Sequence, residues 1–179
     1  MVFFKKYNLV GAKKCDTEDV YRVINTANEW LLSRGMDQWQ DYYTKELVRS
    51  NIINKEVLLV TQKVEPVATV TISTNPPNYY LAENNPENFD YSSLFINPTK
   101  QALYISALAV IPKFQGKGIA KELVKIIEQK AKESQINFIR LDARGDYKEL
   151  INFYLKLGFI KVGELPEPDT SYFLMEKTF

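Results

Sequence analysis

The sequence predicts a mixed α/β (α+β) fold, a central sheet of about seven strands flanked by about four helices, in one domain spanning residues 1–179. Three observations carry that expectation. The run ALYISALAVI at 102–111 is apolar at nearly every position and reads as a strand covered on both faces. Soon after it, residues 118–134 place Ile119, Leu123, Val124, Ile127 and Ala131 on one helical stripe, with Lys121, Glu122, Lys125, Glu128 and Lys132 opposite. The chain has 179 residues, 45% hydrophobic and 25% charged, which suffices for one substantial core.

The other elements follow from periodicity and breakers. Residues 2–13 alternate loosely and predict a first strand. Asp16 or Thr17 offers an N-cap to a helix carrying Val20, Val23, Ile24, Ala27, Trp30 and Leu31, with Gly35 as its stop. A shorter helix begins near Thr44 and carries Leu47, Val48 and Ile52. Residues 57–61 and 67–73 predict two strands joined by a tight turn at 64–66. Residues 75–100 are rich in asparagine and hold Pro76, Pro77, Pro86 and Pro98. They form either a mobile surface insertion or a folded loop that covers something. Tyr79, Tyr80, Phe89, Tyr91 and Phe95 favour the folded loop. A strand at 138–143, a helix marked by Leu150, Phe153, Tyr154 and Leu157 and closed by Gly158, and strands at 159–162 and 172–175 complete the order β-α-α-β-β-β-α-β-α-β-β.

Composition excludes several classes of function. With 23 basic and 22 acidic residues the net charge is +1, so no global excess points to nucleic acid or an anionic membrane. The single cysteine, Cys15, excludes an internal disulfide and fits a reducing, cytoplasmic setting. There is no histidine, which removes Ser-His-Asp and Cys-His catalysis, the usual zinc enzymes and imidazole acid–base chemistry. The N-terminal MVFFKKYNLV is too short and too charged for a signal peptide, and no segment reaches the roughly 18 apolar residues of a membrane helix.

The segment VIPKFQGKGIAKELV joins a buried strand to a helix through a loop with two glycines. Gly116 and Gly118 remove the Cβ atoms that block a ligand from the backbone, and first-turn amides are free to donate. With the helix dipole, such a loop cradles an anion such as a pyrophosphate. The residues alone also admit a purely structural turn, because neither the P-loop nor the dinucleotide spacing is present.

This segment resembles the acetyl-CoA-binding motif of the GNAT superfamily of N-acetyltransferases, Gln/Arg-x-x-Gly-x-Gly/Ala, filled here by Gln115, Gly118 and Ala120. A second segment, INFYLKLGFIKVGE, resembles the family helix in which a tyrosine precedes Gly-Phe by four and five residues, filled by Tyr154, Gly158 and Phe159. Together these stretches cover residues 103–164, about a third of the chain.

The resemblance implies acetyl transfer from acetyl-CoA to an amine acceptor, a small molecule or peptide, in a ternary complex, with no metal. The pantetheine arm would pair with Leu108, Ala109 and Val110, whose amides also suit an oxyanion. The pyrophosphate would meet Gln115, Gly116, Lys117, Gly118, Ile119 and Ala120, with Lys121 close by. Tyr154 resembles the family tyrosine that donates to the departing thiolate. With a tyrosine near 10 and a thiol near 8.5, full transfer is uphill by about 1.5 units, and a strengthening hydrogen bond is the better description. Asn152 occupies a position that often touches the cofactor. One departure stands out: Tyr147, preceded by Asp146, holds the place where the family usually has asparagine.

No general base is assigned. Tyr104 and Ser106 lie on the central strand, Asp142 on its neighbour and Asp37 in the GMDQW turn, and a relayed water serves equally. Trp30, Trp39, Tyr42 and Tyr104 are candidates either for the core or for an acceptor pocket. Neither a monomer nor a homodimer is favoured. A rival reading is a non-catalytic coenzyme A sensor on the same scaffold, and a third is an unrelated interaction module.

Overall fold

The computed structural model describes residues 6–167 and 170–179. Its elements are β1 (Asn8–Gly11), α1 (Thr17–Leu32), α2 (Lys45–Asn54), β2 (Glu56–Gln62), β3 (Glu65–Ser73), β4 (Leu103–Val110), α3 (Ile119–Glu133), β5 (Phe138–Arg144), α4 (Lys148–Lys156), β6 (Ile160–Glu167) and β7 (Thr170–Thr178). The predicted order of strands and helices is the observed one. The strands form a mixed seven-stranded sheet in the order β1-β2-β3-β4-β5-β7-β6. Of the expected first strand, residues 2–5 lie outside the described residues and the strand itself begins at Asn8. The chain divides into two compact units, Met1–Ile72 with Ser106–Ile126, and Ser73–Ile105 with Ile127–Phe179.

In the first unit β1, β2 and β3 pair antiparallel, β1 reaching β2 through α1 and α2, with Gly11 opposite Leu58 and Val57 opposite Thr71. The turn differs from expectation. Gln62 already pairs with Glu65, so the turn is Lys63 and Val64, and Lys63 takes a left-handed φ of 56°. Pro66 belongs to β3, opposite Thr61, beside a register shift that accommodates a residue with no N–H. Asp16 stands at the N-cap of α1, yet its carboxylate accepts the Lys13 N–H at 2.7 Å. Thr44 does cap α2, accepting the Leu47 N–H at 3.1 Å, a contact of about 1 kcal/mol. Val20, Val23, Ile24 and Ala27 of α1 pack with Val48, Val57, Leu59, Ala107 and Ala109. Burial of each larger side chain contributes about 1.5–3 kcal/mol.

In the second unit β5 pairs antiparallel with β7 along seven residues, from Phe138 opposite Thr178 to Arg144 opposite Tyr172. β6 pairs with the far edge of β7. β4 runs parallel to β5, with Leu103 opposite Ile139 and Tyr104 opposite Arg140. The 75–100 insertion is folded, with short 3-10 turns at Asn78–Tyr80, Ala82–Asn84 and Tyr91–Leu94. Its Tyr80, Tyr91 and Phe95 are buried in one cluster with Tyr104, Phe138, Leu165 and Leu174. Arg140, fully buried on β5, holds the end of the insertion. It donates from Nη2 to the Asn97 carbonyl at 2.7 Å and from Nη1 to Tyr104 Oη at 3.1 Å, and it lies 4.6 Å from the centre of the Phe95 ring.

Candidate active site

The glycine loop is built between β4 and α3, within the first unit. After Val110 the chain makes a 3-10 turn at Pro112–Phe114, anchored by the buried Phe114 ring. Gln115 is exposed, yet it is tied down: its Nε2 donates to the Val110 carbonyl at 3.1 Å and braces the loop against the strand it leaves. Gly116 and Gly118 have φ of 71° and 82°, which side-chain-bearing residues rarely adopt. A Cβ at Gly116 would meet nothing within 4 Å, so the loop faces open space. The Glu122 N–H closes onto the Gly118 carbonyl at 3.1 Å as the helix begins. Amides 116–121 have no backbone partner among the described residues. A run of unpaired amides at the positive end of a 15-residue helix fits an anionic group.

The lysines divide in role. Lys113 pairs with Glu65 and Lys125 with Glu122, whereas Lys117 sits 4.6 Å from the centre of the Phe114 ring. Lys121 is exposed and has no ion pair among the described residues. Ile119 is buried beneath the loop and contributes its amide, not its side chain.

Upstream, β4 contains a feature that no residue type signals. Ala107, buried, has a left-handed φ of 48° inside the strand. Such a residue breaks the regular pleat and re-aims the backbone that follows, here Leu108, Ala109 and Val110.

Tyr154 lies in the second unit near the end of α4, and its position explains the Tyr-x-x-x-Gly-Phe spacing. Gly158 takes a φ of 86°, and the Phe159 N–H donates to the Tyr154 carbonyl at 3.1 Å. This is a Schellman stop, in which the residue after the glycine folds back onto the last turn. It sets the Phe159 ring edge-on to Tyr154, with centroids 5.5 Å apart. Tyr154 is buried as a residue, and its hydroxyl forms no hydrogen bond to a described residue. Burial, and then the nearby Asp142 charge, pushes its ionisation well above the ordinary tyrosine value. The hydroxyl therefore stays protonated and suits donation.

Asp142, on β5, is the residue whose importance the sequence did not separate from other acids. It is half-buried, and its Oδ2 accepts hydrogen bonds from Tyr79 Oη and Tyr80 Oη, both at 2.8 Å. Burial raises its pKa, and the two tyrosine bonds oppose that rise. Tyr80 is fully buried and is pushed well above its ordinary value, first by burial and then by Asp142. The one available signal is an aspartate inside the strand FIRLDAR.

The other named residues fall elsewhere. Asn152 is exposed on α4, and Tyr147 is half-buried at the N-cap of that helix. Asp146 accepts from Arg144 at 2.7 Å. Trp30 stacks under Arg34, Trp39 packs on the first unit's core, Tyr42 is half exposed and Tyr104 serves Arg140. Among the described residues no group of three or more Cys, Asp or Glu is placed to hold a metal, and no helix is long and apolar enough to cross a membrane.

A mixed sheet, a strand–glycine loop–helix unit and a tyrosine held by a Gly-Phe helix stop define an acetyltransferase architecture. The model of the acetyltransferase (GNAT) family matches residues 23–159, and the chain belongs to that family. It is 24% identical over 164 residues to the uncharacterized N-acetyltransferase YesJ of Bacillus subtilis, covering 90% of this chain and 84% of that one. A GNAT-family acetyltransferase from Listeria monocytogenes superposes with a TM-score of 0.75 at 20% identity, over 97% of this chain and 95% of the other. The PaiA N-acetyltransferase of Thermoplasma acidophilum, solved in complex with coenzyme A, superposes with a TM-score of 0.69 at 18% identity, over 97% and 99%. At these identities the structural likeness concerns the fold.

Proposed function

We propose that the protein transfers an acetyl group from acetyl-CoA to an amine by direct attack in a ternary complex. The observation that carries this reading is the run of unpartnered amides 116–121 at the start of α3, behind two glycines of positive φ. Those amides and Lys121 bind the pyrophosphate, with Lys117 at its edge. Gln115 supports the loop through Val110. Leu108, Ala109 and Val110, re-aimed by Ala107, offer backbone groups to the pantetheine arm and an amide to the carbonyl oxygen as it gains charge. The donor supplies a thioester carbon activated for attack by nitrogen. Tyr154 donates a hydrogen bond from Oη to the sulfur as the C–S bond breaks, and its raised pKa keeps the proton on the tyrosine until charge develops. Asn152, exposed on α4, contacts the cofactor from solvent.

The same reading takes the chain as a single domain. It places the protein in the cytoplasm on the strength of its lone cysteine. The experiment is thiol release from acetyl-CoA with phenethylamine, spermidine and a lysine-containing peptide, beside calorimetric titration with acetyl-CoA. Amine-dependent release is expected. Saturable binding without release on any of the three favours the sensor, and absence of binding removes both readings.

A further inference from the structure

Two carboxylates of the second unit that lie at least partly buried, Glu176 and Asp142, differ in their partners. Glu176, sealed from solvent, is paired at 2.7 Å with the equally buried Arg140. Asp142 lies two residues beyond Arg140 and therefore on the same face of β5. It has no cation among the described residues, only hydroxyl donors. Both donors bind Oδ2, and no bond is formed to Oδ1 by the described residues. The site is also reachable, because Asp142 is half-buried and Tyr79 is 38% exposed. The Tyr79 and Tyr80 rings stand edge-on, at an interplanar angle of 81°, with centroids 5.2 Å apart.

An ionised carboxylate that is partly desolvated and unpaired is costly unless a cation joins it. Here the fold leaves one oxygen open, holds the other with two tyrosine hydroxyls and places the carboxylate near enough to Tyr154 for its charge to be felt there. A carboxylate with an open oxygen and no cation of its own selects an ammonium group and repels an anionic acceptor.

We propose that Asp142, clamped at Oδ2 by Tyr79 and Tyr80 of the insertion, receives the acceptor, with Oδ1 taking an N–H of an amine that arrives as an ammonium ion. This rests on the acetyl-transfer reading above and assigns its acceptor side. Asp142 touches the substrate, whereas Tyr79 and Tyr80 act through it as positioning residues. The bound ammonium loses one proton to water, and its nitrogen attacks the thioester carbon. As the N–C bond forms the nitrogen becomes positive, and the Oδ1···H–N bond strengthens. The C–S bond breaks with its electron pair on sulfur, beside Tyr154 Oη, and the second nitrogen proton ends on that sulfur through water. Amide, free thiol and one released proton balance the reaction. The insertion thus supplies specificity for cationic amines.

The test has two arms on the full chain. In the first, the protein carries 13C-labelled aspartate and saturating coenzyme A, and Asp142→Asn identifies the Asp142 carboxyl resonance. Ethylammonium chloride is expected to shift that resonance saturably, with ethanol giving no shift. Tyr79→Phe weakens the response and moves the Asp142 titration upward, because the ionised form loses a donor. In the second arm, the fastest of the three amines named above is used. Asp142→Asn is expected to lower kcat/KM at least 100-fold with acetyl-CoA affinity within twofold of wild type, Asp142→Glu to recover part of it, and Tyr79→Phe to raise the amine KM several-fold. An unmoved Asp142 resonance, an equal response to ethanol, or Asp142→Asn turning over within threefold of wild type overturns the proposal. If none of the three amines turns over, the resonance arm decides it. Failure of the wild type to bind acetyl-CoA sinks the functional reading instead.

Discussion

The Phe159 N–H donates to the Tyr154 carbonyl at 3.1 Å, and the two rings meet edge-on. One backbone bond thus links the stop of α4 to the orientation of the proposed catalytic side chain. Gly158 makes the bond possible through its φ of 86°. In Gly158→Ala the new Cβ meets only Lys177 at ordinary contact distance, so the cost is backbone strain. That cost is about 1–2 kcal/mol. Urea unfolding is expected to show that loss, with kcat falling more than acetyl-CoA affinity because Tyr154 loses its orientation. Unchanged stability with unchanged kcat would separate the helix stop from catalysis.

Tyr154→Phe keeps the ring and its packing and removes only the hydroxyl. Because that hydroxyl has no internal partner, the fold loses nothing it depended on. We expect kcat to fall on the order of 100-fold, with acetyl-CoA binding within twofold by calorimetry. Because Tyr154 ionises well above the ordinary tyrosine range, the wild-type rate should show no alkaline loss attributable to it up to pH 9–10. A large loss of affinity with normal turnover would reassign Tyr154 to cofactor packing.

Gly118→Glu introduces a side chain where φ is 82° and a negative charge where an anion is to bind. Acetyl-CoA binding should disappear in calorimetry while the circular dichroism spectrum is retained. Retained binding would move the pyrophosphate away from this loop.

The order of elements was legible because each has one dominant period: an apolar run in β4, a single stripe in α3. The insertion's aromatics indicated a folded segment for the same reason, since Tyr80, Tyr91 and Phe95 need a core. What stayed hidden depends on contacts distant in sequence or on backbone angles. Tyr79 and Asp142 meet across 63 residues, and nothing in either segment names the other. Ala107 carries a glycine-like φ without being glycine. Gln115 matched the motif but turns back to Val110, a direction that spacing does not encode. Pro66 read as a turn residue and sits in a strand, because a register shift removed the need for its N–H.

Arg140 and Glu176 predict a stability effect of another size. Both side chains are fully buried, and Glu176 Oε1 has no hydrogen-bond partner among the described residues. Removing one partner leaves a buried charge uncompensated, which costs about 3–5 kcal/mol. Glu176→Ala should lose that amount in urea unfolding. The double variant Arg140→Met/Glu176→Leu should lose less from the charge itself, but it frees the Asn97 carbonyl and loosens the insertion. Proteolysis within 75–100 is therefore expected to rise in the double variant even where global stability recovers. Equal protease resistance would show that Arg140 does not anchor the insertion.

Asp142 connects the proposed acceptor site to the pH dependence of folding. Its pKa is raised by burial above the ordinary carboxylate value of 3.8. A group raised in the folded state contributes stability that is fully present below the unfolded value and is lost as pH rises through the folded value. At neutral pH the folded protein therefore carries a carboxylate that its surroundings disfavour, a cost compatible with a functional role. Asp142→Asn removes the charge and keeps an oxygen for the tyrosine hydroxyls. Its melting temperature should exceed that of the wild type at pH 7. The difference should shrink as pH falls through the folded value, and vanish below about 3.8, where wild-type Asp142 is neutral in both states. Thermal melts of the two proteins across pH 3–8 test this directly. A variant less stable than wild type at pH 7, with no convergence at low pH, would mean that the two tyrosine bonds outweigh the burial of the charge.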